Sequence, residues 1–321
     1  MLCIDSQTDN PYYNLAAEEY FLKESDEEFF ILWESMPVVV VGKHQNTLSE
    51  VNYRYVNNNG IRVARRLSGG GTVFHGKGNL NFTFIRNGLP GHLVDFQLHI
   101  DPVLKFLSSL GIDCMKGTKH EILVNSRKIS GNAEHVYKNR VLHHGTLLFD
   151  ADLDILFKAI NRTGGYYSDR AVQSNRAEVL NISDCLTPAI KYKEFRRKMY
   201  NYIRDFFSAE EYNPDEQTLN RINTLMTEKY ATWDWIYGWS PDYRFSNKWA
   251  NSTHELEIDF DVHRGLISTC MIRGNSSGLE VLNTYLEGKR HSLDVIDAAL
   301  KQSGMDSIAG KDYSEMIYAF F

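Results

Sequence analysis

The sequence predicts an α+β chain, and three observations carry that reading. Short apolar runs of strand type, Phe30-Ile31-Leu32-Trp33 and Val38-Val39-Val40-Val41, are bounded by Pro37 and Gly42. Apolar residues at Phe195, Met199, Tyr202, Ile203 and Phe206 have helical spacing. A fresh strand pattern opens at Leu256, where Ile258, Phe260 and Val262 alternate with Glu257, Asp259 and Asp261. The length of 321 residues suits one large domain, or a large one with a small one. Hydrophobic residues at 43% supply a substantial core beside 24% charged residues.

Asn10-Pro11 is a polar cap followed by proline at the first helical position, and Leu15, Ala16, Phe21 and Leu22 give that helix an apolar side. The two apolar runs read as buried strands, and 61–67 as another that feeds into Ser68-Gly69-Gly70-Gly71. Thr72-Val73-Phe74 and the run Leu80 to Ile85 read as strands. Asp101-Pro102 is expected to open a helix closed by Gly111. Residues 121–130 read as a hairpin turning at Asn125-Ser126, and a second hairpin turns at Lys138-Asn139 and returns to Phe149. Gly, Pro, Ser and Asn between Tyr237 and Asn251 suggest a linker. Beyond it, the alternating strand turns at His263-Arg264-Gly265, and helices are expected near 279–286 and 293–301. The expected division is therefore a domain over 1–243 and an accessory domain over 252–321.

Composition excludes some classes of function. The net charge of −6 disfavours general nucleic-acid binding, which usually shows a basic excess. No stretch reaches the roughly 20 apolar residues that span a bilayer. The start, Met1-Leu2-Cys3-Ile4-Asp5, lacks the pattern of a signal peptide. Cys3, Cys114, Cys185 and Cys270 are scattered, with no C-x-x-C pair. The expectation is a reduced, soluble, cytoplasmic protein.

The densest chemical signal is Arg65-Arg66-Leu67-Ser68-Gly69-Gly70-Gly71-Thr72-Val73-Phe74-His75. Three successive glycines suit a backbone that must closely approach a ligand, and arginine can grip a carboxylate or phosphate with two donors. A flexible surface loop is the plainer alternative. The overlapping Gly71 to Gly78 stretch nearly matches a P-loop, but Gly78 stands where Ser or Thr should reach magnesium, and a strand follows instead of a helix. The second signal is Arg127-Lys128-Ile129-Ser130-Gly131. Strand alternation turns Lys128 away from both neighbours, where an ammonium could hold a carboxylate beside a phosphate. A solvated edge lysine is the alternative. His143 and His144 should face opposite ways, so at most one meets a pocket. No H-E-x-x-H spacing supports a histidine metal centre, and no G-x-S-x-G elbow is present.

Together these motifs resemble the lipoate–protein ligase A family. The glycine-loop and lysine motifs carry the likeness, with Asn14-Leu15-Ala16-Ala17-Glu18-Glu19, Gly42-Lys43-His44-Gln45-Asn46 and His143-His144-Gly145-Thr146-Leu147-Leu148. The resemblance implies a large domain around a mixed sheet, of the biotin and lipoate ligase type shared with class II aminoacyl-tRNA synthetases. A small α+β accessory domain would follow it. It implies that lipoate and Mg-ATP give lipoyl-AMP. The acyl group then passes to a lysine on a lipoyl domain of a 2-oxoacid dehydrogenase E2 subunit or on the glycine-cleavage H protein. By resemblance, Arg66, Gly71, Thr72, Val73 and Phe74 would meet the nucleotide. Gly69, Gly70, His75, His144 and Thr146 would line the lipoyl pocket. Lys128 would bridge acyl carbonyl and phosphate as the catalytic cation. The chain departs from the family at His120-Glu121, where Asn-Asp is common, and at Gly76, where Asp is common. Glu121 is the expected Mg²⁺ ligand, since magnesium favours carboxylate oxygens. Two other readings stand beside this one. An ATP-independent octanoyl or lipoyl transferase would need a cysteine near Lys128, and a non-catalytic lipoate-binding module would need no catalytic group.

Overall fold

The computed structural model describes residues 1–88, 93–175 and 177–321. In chain order the strands are β1 (Leu2–Asp5), β2 (Phe29–Trp33), β3 (Val38–Val41), β4 (Arg62–Arg65), β5 (Val73–His75), β6 (Asn79–Asn87), β7 (Met115–Lys116), β8 (Ile122–Val124), β9 (Arg127–Ser130), β10 (Asn132–Tyr137), β11 (Arg140–Leu148), β12 (Tyr166–Asp169), β13 (Glu210–Glu211), β14 (Tyr243–Ala250), β15 (Glu255–His263) and β16 (Leu266–Gly274). They fall into two compact units. The first holds residues 1–43, 62–157 and 174–232, and the second holds 44–61, 158–173 and 233–321.

The first unit is built on a mixed six-stranded sheet in the order β10-β11-β6-β2-β1-β13. β1 runs parallel to β2 and β13, while β2, β6, β11 and β10 pair antiparallel. Every residue of β2 is buried, as expected of a central strand covered on both faces. On one face the helices Phe96–Ser109 and Tyr192–Phe206 pack Ile100, Val103, Phe106, Phe195 and Met199 against Phe30, Phe82 and Phe84. Burying each such aromatic contributes roughly 1.5–3 kcal/mol. The helix Pro11–Glu24 packs against β6 and β11. Asn10 caps it, its side chain accepting from the Tyr12 amide at 3.1 Å. Two smaller sheets, β4-β3-β5 and β7-β8-β9, carry the glycine loop and the lysine hairpin.

The helix expected from Asp101 starts earlier, at Phe96. Asp95 caps it, its Oδ1 accepting from the Leu98 amide at 3.1 Å. Pro102 lies inside the helix. Its missing N–H costs the Leu98 carbonyl a partner, and Leu98 lies on the exposed side, where water can serve. Gly111 closes the segment at φ +82°.

The second unit has an antiparallel sheet in the order β12-β14-β15-β16. Tyr243, Phe245, Ile258, Phe260 and Val262 face a core shared with Leu282, Leu286, Ile296, Leu300 and Met316. Glu255, Glu257 and Asp261 face solvent. Arg264 (φ +49°) and Gly265 (φ +75°) form the turn between β15 and β16.

This unit corrects the expected division at 243 and 252. The stretch read as a linker contains β14, which pairs with β12 on one side and β15 on the other. Polar turn residues around it masked the alternation of Tyr243, Phe245 and Trp249, all buried. Because β12 comes from before residue 174, the unit is discontinuous in sequence.

Candidate active site

The site is a cavity of about 800 Å³ within the first unit. Its wall takes Arg66, Gly70, Gly71, Thr72, Val73 and His75 from the glycine loop and β5. Glu121, Lys128, Asn132, His144 and Thr146 come from the hairpins, and Leu15, Trp33 and Val40 add apolar surface. The structure thus brings together ten of the twelve residues singled out in the sequence. Gly69 and Phe74 do not line the cavity. Gly69 gives its carbonyl to Arg66 Nη2 at 2.6 Å. Phe74 is buried on the other face of β5, because alternation sends Val73 and His75 one way and Phe74 the other.

Lys128 sits where the hairpin is gripped from both sides. Its residue faces Leu123 across β8. Its amide donates to the Glu178 carbonyl at 2.8 Å, and its carbonyl accepts from the Leu180 amide at 3.0 Å. Ile129 is fully buried beneath it, while Arg127 is exposed. Burial lowers the lysine's pKa; Glu121 opposes that shift, and Arg66 and Lys119 add to it. A Cβ on Gly131 would lie 2.9 Å from the Lys128 Nζ, so glycine leaves the ammonium its place. Gly145 is equally constrained, since a Cβ there would fall 2.2 Å from Asn132 Oδ1 and 2.4 Å from the Phe82 ring.

The glycine loop is tied down by its own arginine. Arg66 Nε donates to Ser68 Oγ at 3.0 Å and Nη1 to the Val40 carbonyl at 3.2 Å. Nη2 donates to the Gly69 and Gly71 carbonyls at 2.6 and 2.8 Å. Four of the five guanidinium donors therefore hold protein, and the charge, more than a free fork, is what Arg66 presents to the cavity. Burial pulls its pKa down to about 10, against the pull of Glu18. Arg65 is buried and binds the Gly42 and Lys43 carbonyls at 2.9 and 3.0 Å. Gly70 has φ +86°. The Thr72 amide donates to Ser174 Oγ at 2.8 Å, and a Cβ on Gly71 would meet Ser174 at 3.2 Å.

Several buried polar atoms of the wall have no hydrogen-bond partner among the described residues: His75 Nδ1, Asn81 Nδ2, His120 Nδ1 and Glu121 Oε2. Such groups are costly to leave unmatched, which suits a polar ligand. Burial, with Arg66 and His144, holds the His75 imidazole neutral by pushing its pKa down to about 3. The two adjacent histidines of β11 do face opposite ways. His144 lines the cavity and reaches Glu18 and Ser68. His143 turns to the other face, where its Nδ1 and that of His99 lie 2.9 and 3.0 Å from Glu134 Oε1. This trio is a group of metal-type donors among the described residues, brought together across sequence gaps that no spacing rule could reveal.

The sequence reading missed Ser174, Asn175, Ala177 and Glu178, which line the cavity from an irregular stretch without any motif. It also missed the part played by Glu18, although that residue stands in a quoted motif.

The fold is that of solved lipoate protein ligases. A structure described as a lipoate protein ligase of T. acidophilum, with bound lipoic acid, is 24% identical with a TM-score of 0.63, covering 74% of this chain and 98% of that one. A lipoate-protein ligase A bound with ATP is 23% identical with a TM-score of 0.63, over 74% and 98% of the two chains. The family model of the lipoyl protein ligase A/B catalytic domain matches residues 10–204. The lipoate-protein ligase LplJ of Bacillus subtilis is 34% identical over 331 residues, 99% of this chain and all of that one. The chain belongs to the lipoyl protein ligase A/B family.

Proposed function

We propose that this chain is an ATP-dependent lipoate–protein ligase. It joins lipoate to AMP with release of pyrophosphate, then transfers the lipoyl group to a lysine ε-amine of an acceptor domain. The observation that carries the reading is Lys128, placed in one cavity with the glycine loop, Arg66 and an apolar wall of Leu15, Trp33 and Val40. The cavity offers an acyl chain apolar surface and offers a carboxylate and a phosphate two cations. Names of relatives support the substrates, since one is bound to lipoic acid and another to ATP.

In the first half-reaction a carboxylate oxygen attacks the α-phosphorus, and pyrophosphate leaves. Two anions must meet, and Lys128 lowers that barrier by standing between them. Arg66 adds charge and fixes the loop whose backbone faces the nucleotide. In the second half-reaction the acceptor amine attacks the acyl carbonyl and AMP leaves. Lys128 then polarises the carbonyl oxygen. Glu121, with a buried carboxylate oxygen in the cavity wall that has no partner among the described residues, has the donor chemistry to hold Mg²⁺. Bound there, the ion would supply charge to the phosphates. We assign the acceptor as a lipoyl domain of a 2-oxoacid dehydrogenase E2 subunit or the glycine-cleavage H protein. We place the enzyme in the cytoplasm, a setting that suits four free cysteines.

A cysteine-dependent transfer without ATP is disfavoured. Among the described residues no cysteine lines the cavity. Burial also pushes Cys3 and Cys114 up to about 11 and Cys270 up to about 12, which keeps them as thiols. The test is pyrophosphate release with lipoate and ATP, followed by transfer to an acceptor domain. Release and transfer are expected. Transfer that is independent of ATP would replace this reading with the transferase, and binding without turnover would replace it with a carrier.

A further inference from the structure

We infer that Glu18, a buried carboxylate on the first helix, is a positioning residue that sets the glycine loop through a directed hydrogen-bond relay. The inference rests on the ligase reading for the reaction it serves, but its geometry stands independently.

The relay can be followed atom by atom. Arg66 Nε donates to Ser68 Oγ at 3.0 Å. Ser68 Oγ lies 2.6 Å from His144 Nε2, and His144 Nδ1 lies 3.0 Å from both oxygens of Glu18. A second branch arrives from the cavity wall, where Trp33 Nε1 donates to Thr83 Oγ1 at 3.1 Å and Thr83 Oγ1 donates to Glu18 Oε1 at 2.6 Å. Glu18, Thr83, Ser68 and Trp33 are at most 2% exposed, and His144 is 8% exposed.

Proton accounting gives the relay one direction. Arginine can only donate, so Ser68 Oγ must accept from it. The hydroxyl proton of Ser68 then goes to its short partner, His144 Nε2, and not to the Gly69 carbonyl 3.5 Å away. With Nε2 accepting, the imidazole proton sits on Nδ1 and points at Glu18. In the other neutral tautomer Nδ1 would turn a lone pair toward the Glu18 carboxylate, and the Ser68 hydroxyl would be left with the Gly69 carbonyl at 3.5 Å. The carboxylate therefore fixes the histidine tautomer, the histidine orients the serine, and the serine orients the arginine. Arg66 in turn grips the Gly69 and Gly71 carbonyls. Glu18 is also the acid that opposes the burial of the Arg66 charge. A serine, histidine and acid in this order is also the pattern that activates a nucleophile. Ser68 is fully buried and its oxygen is occupied by Arg66, so the trio orients and does not attack.

The test uses the full-length chain and compares Glu18→Gln, Ser68→Ala and the double variant. Glu18→Gln keeps the shape but removes the charge and one acceptor. Each single variant is expected to lower pyrophosphate release about tenfold or more, through kcat or the KM for ATP. The double variant should be no worse than the poorer single one, because both cut the same chain. A readout independent of activity is the ¹⁵N spectrum of the histidine rings. In the wild type His144 should carry its proton on Nδ1, and Glu18→Gln should lose that fixed tautomer. Additive losses, a change confined to the KM of the acyl acid, or an unchanged tautomer in Glu18→Gln would overturn the relay. Wild-type protein that releases no pyrophosphate but shows the Nδ1 tautomer would instead overturn the ligase reading and leave the relay standing.

Discussion

In the proposed mechanism a single ammonium serves two bonds in succession, one forming at phosphorus and one at an acyl carbon. That demand makes Lys128 the most exposed point of the mechanism. Removing one well-placed electrostatic contact typically costs about 10²–10³ in rate. Lys128→Ala is expected to lose that much in both half-reactions while melting normally, and Arg127→Ala, on the exposed side of β9, should stay within a few-fold. Lys128→Arg should rescue only partly, because a guanidinium fork cannot take the place of a compact ammonium beside Gly131. Single-turnover formation of lipoyl-AMP and transfer to an acceptor decide it; near-normal rates for the alanine variant in both steps would refute the mechanism. A protein with all four cysteines changed to serine or alanine should keep its adenylation rate, and loss of chemistry in a folded variant would revive the transferase. At this scale Lys128 was legible in the sequence, because alternation along one short strand decides where it points. The place of Arg66 in the cavity wall was legible, but not the use of its donors on Gly69, Gly71, Val40 and Ser68. Ser174 and Glu18 reach the site only through long-range packing, which no local pattern encodes.

Elements carry the next layer of control. The lysine hairpin turns through Asn125 at φ +49° and Ser126 at φ +63°, a conformation that asparagine accepts more readily than serine. Ser126→Gly relieves a left-handed residue but gives the unfolded chain more freedom, so the net gain is expected to be at most about 1 kcal/mol. That should raise the melting temperature by roughly 1–3 °C. A fall would mean that the serine side chain does more in the turn than its backbone costs. Gly131→Ala is expected to do the opposite kind of damage. Its methyl would displace the flexible end of Lys128, at little cost in stability but with at least about tenfold slower adenylation. Calorimetry and pyrophosphate release on one sample separate the two effects, and an alanine variant with normal turnover would show that the ammonium has room to spare. Both hairpin turns, and the strand and helix pattern beyond residue 255, were readable because turn chemistry and alternation are local. The helix through Pro102 was misplaced because its proline reads locally as a start, whereas the Asp95 cap and the apolar face on Ile100, Val103 and Phe106 outweigh one missing donor.

At the scale of the whole molecule, the second unit's discontinuity changes what a truncation can do. Cutting after Asn251 removes β15 and β16 and strips Tyr243, Phe245 and Trp249 of the core they share with Ile258, Phe260 and Leu286. The product should be insoluble or protease-sensitive; a monomeric, cooperatively melting fragment would show that the expected boundary was sound after all. Acid should strike the same core. His291 is buried, with Nε2 donating to the Phe320 carbonyl at 2.6 Å and Nδ1 accepting from the Tyr243 hydroxyl at 2.7 Å. That pairing requires the neutral ring, and burial pushes its pKa down to about 4 despite the Phe320 carbonyl. An unfolded histidine titrates near 6.5, so between about 6.5 and 4 the unfolded chain takes up a proton that the native one refuses. Stability is therefore lost as pH falls through that window, by at most about 3 kcal/mol from this residue. His75 in the first unit adds a loss of the same sign down to about 3. Glu134 acts lower. Burial works against its charge, but hydrogen bonds from His143 and His99 outweigh that and hold its pKa at about 2, so its contribution fades only below the usual carboxylate range. The decline between about pH 6.5 and 4.5 thus belongs to histidines. His291→Gln should be less stable than wild type at pH 7 but should lose less between pH 7 and 5. Urea melts of both proteins at the two pH values measure the difference, and parallel declines would place the acid sensitivity elsewhere.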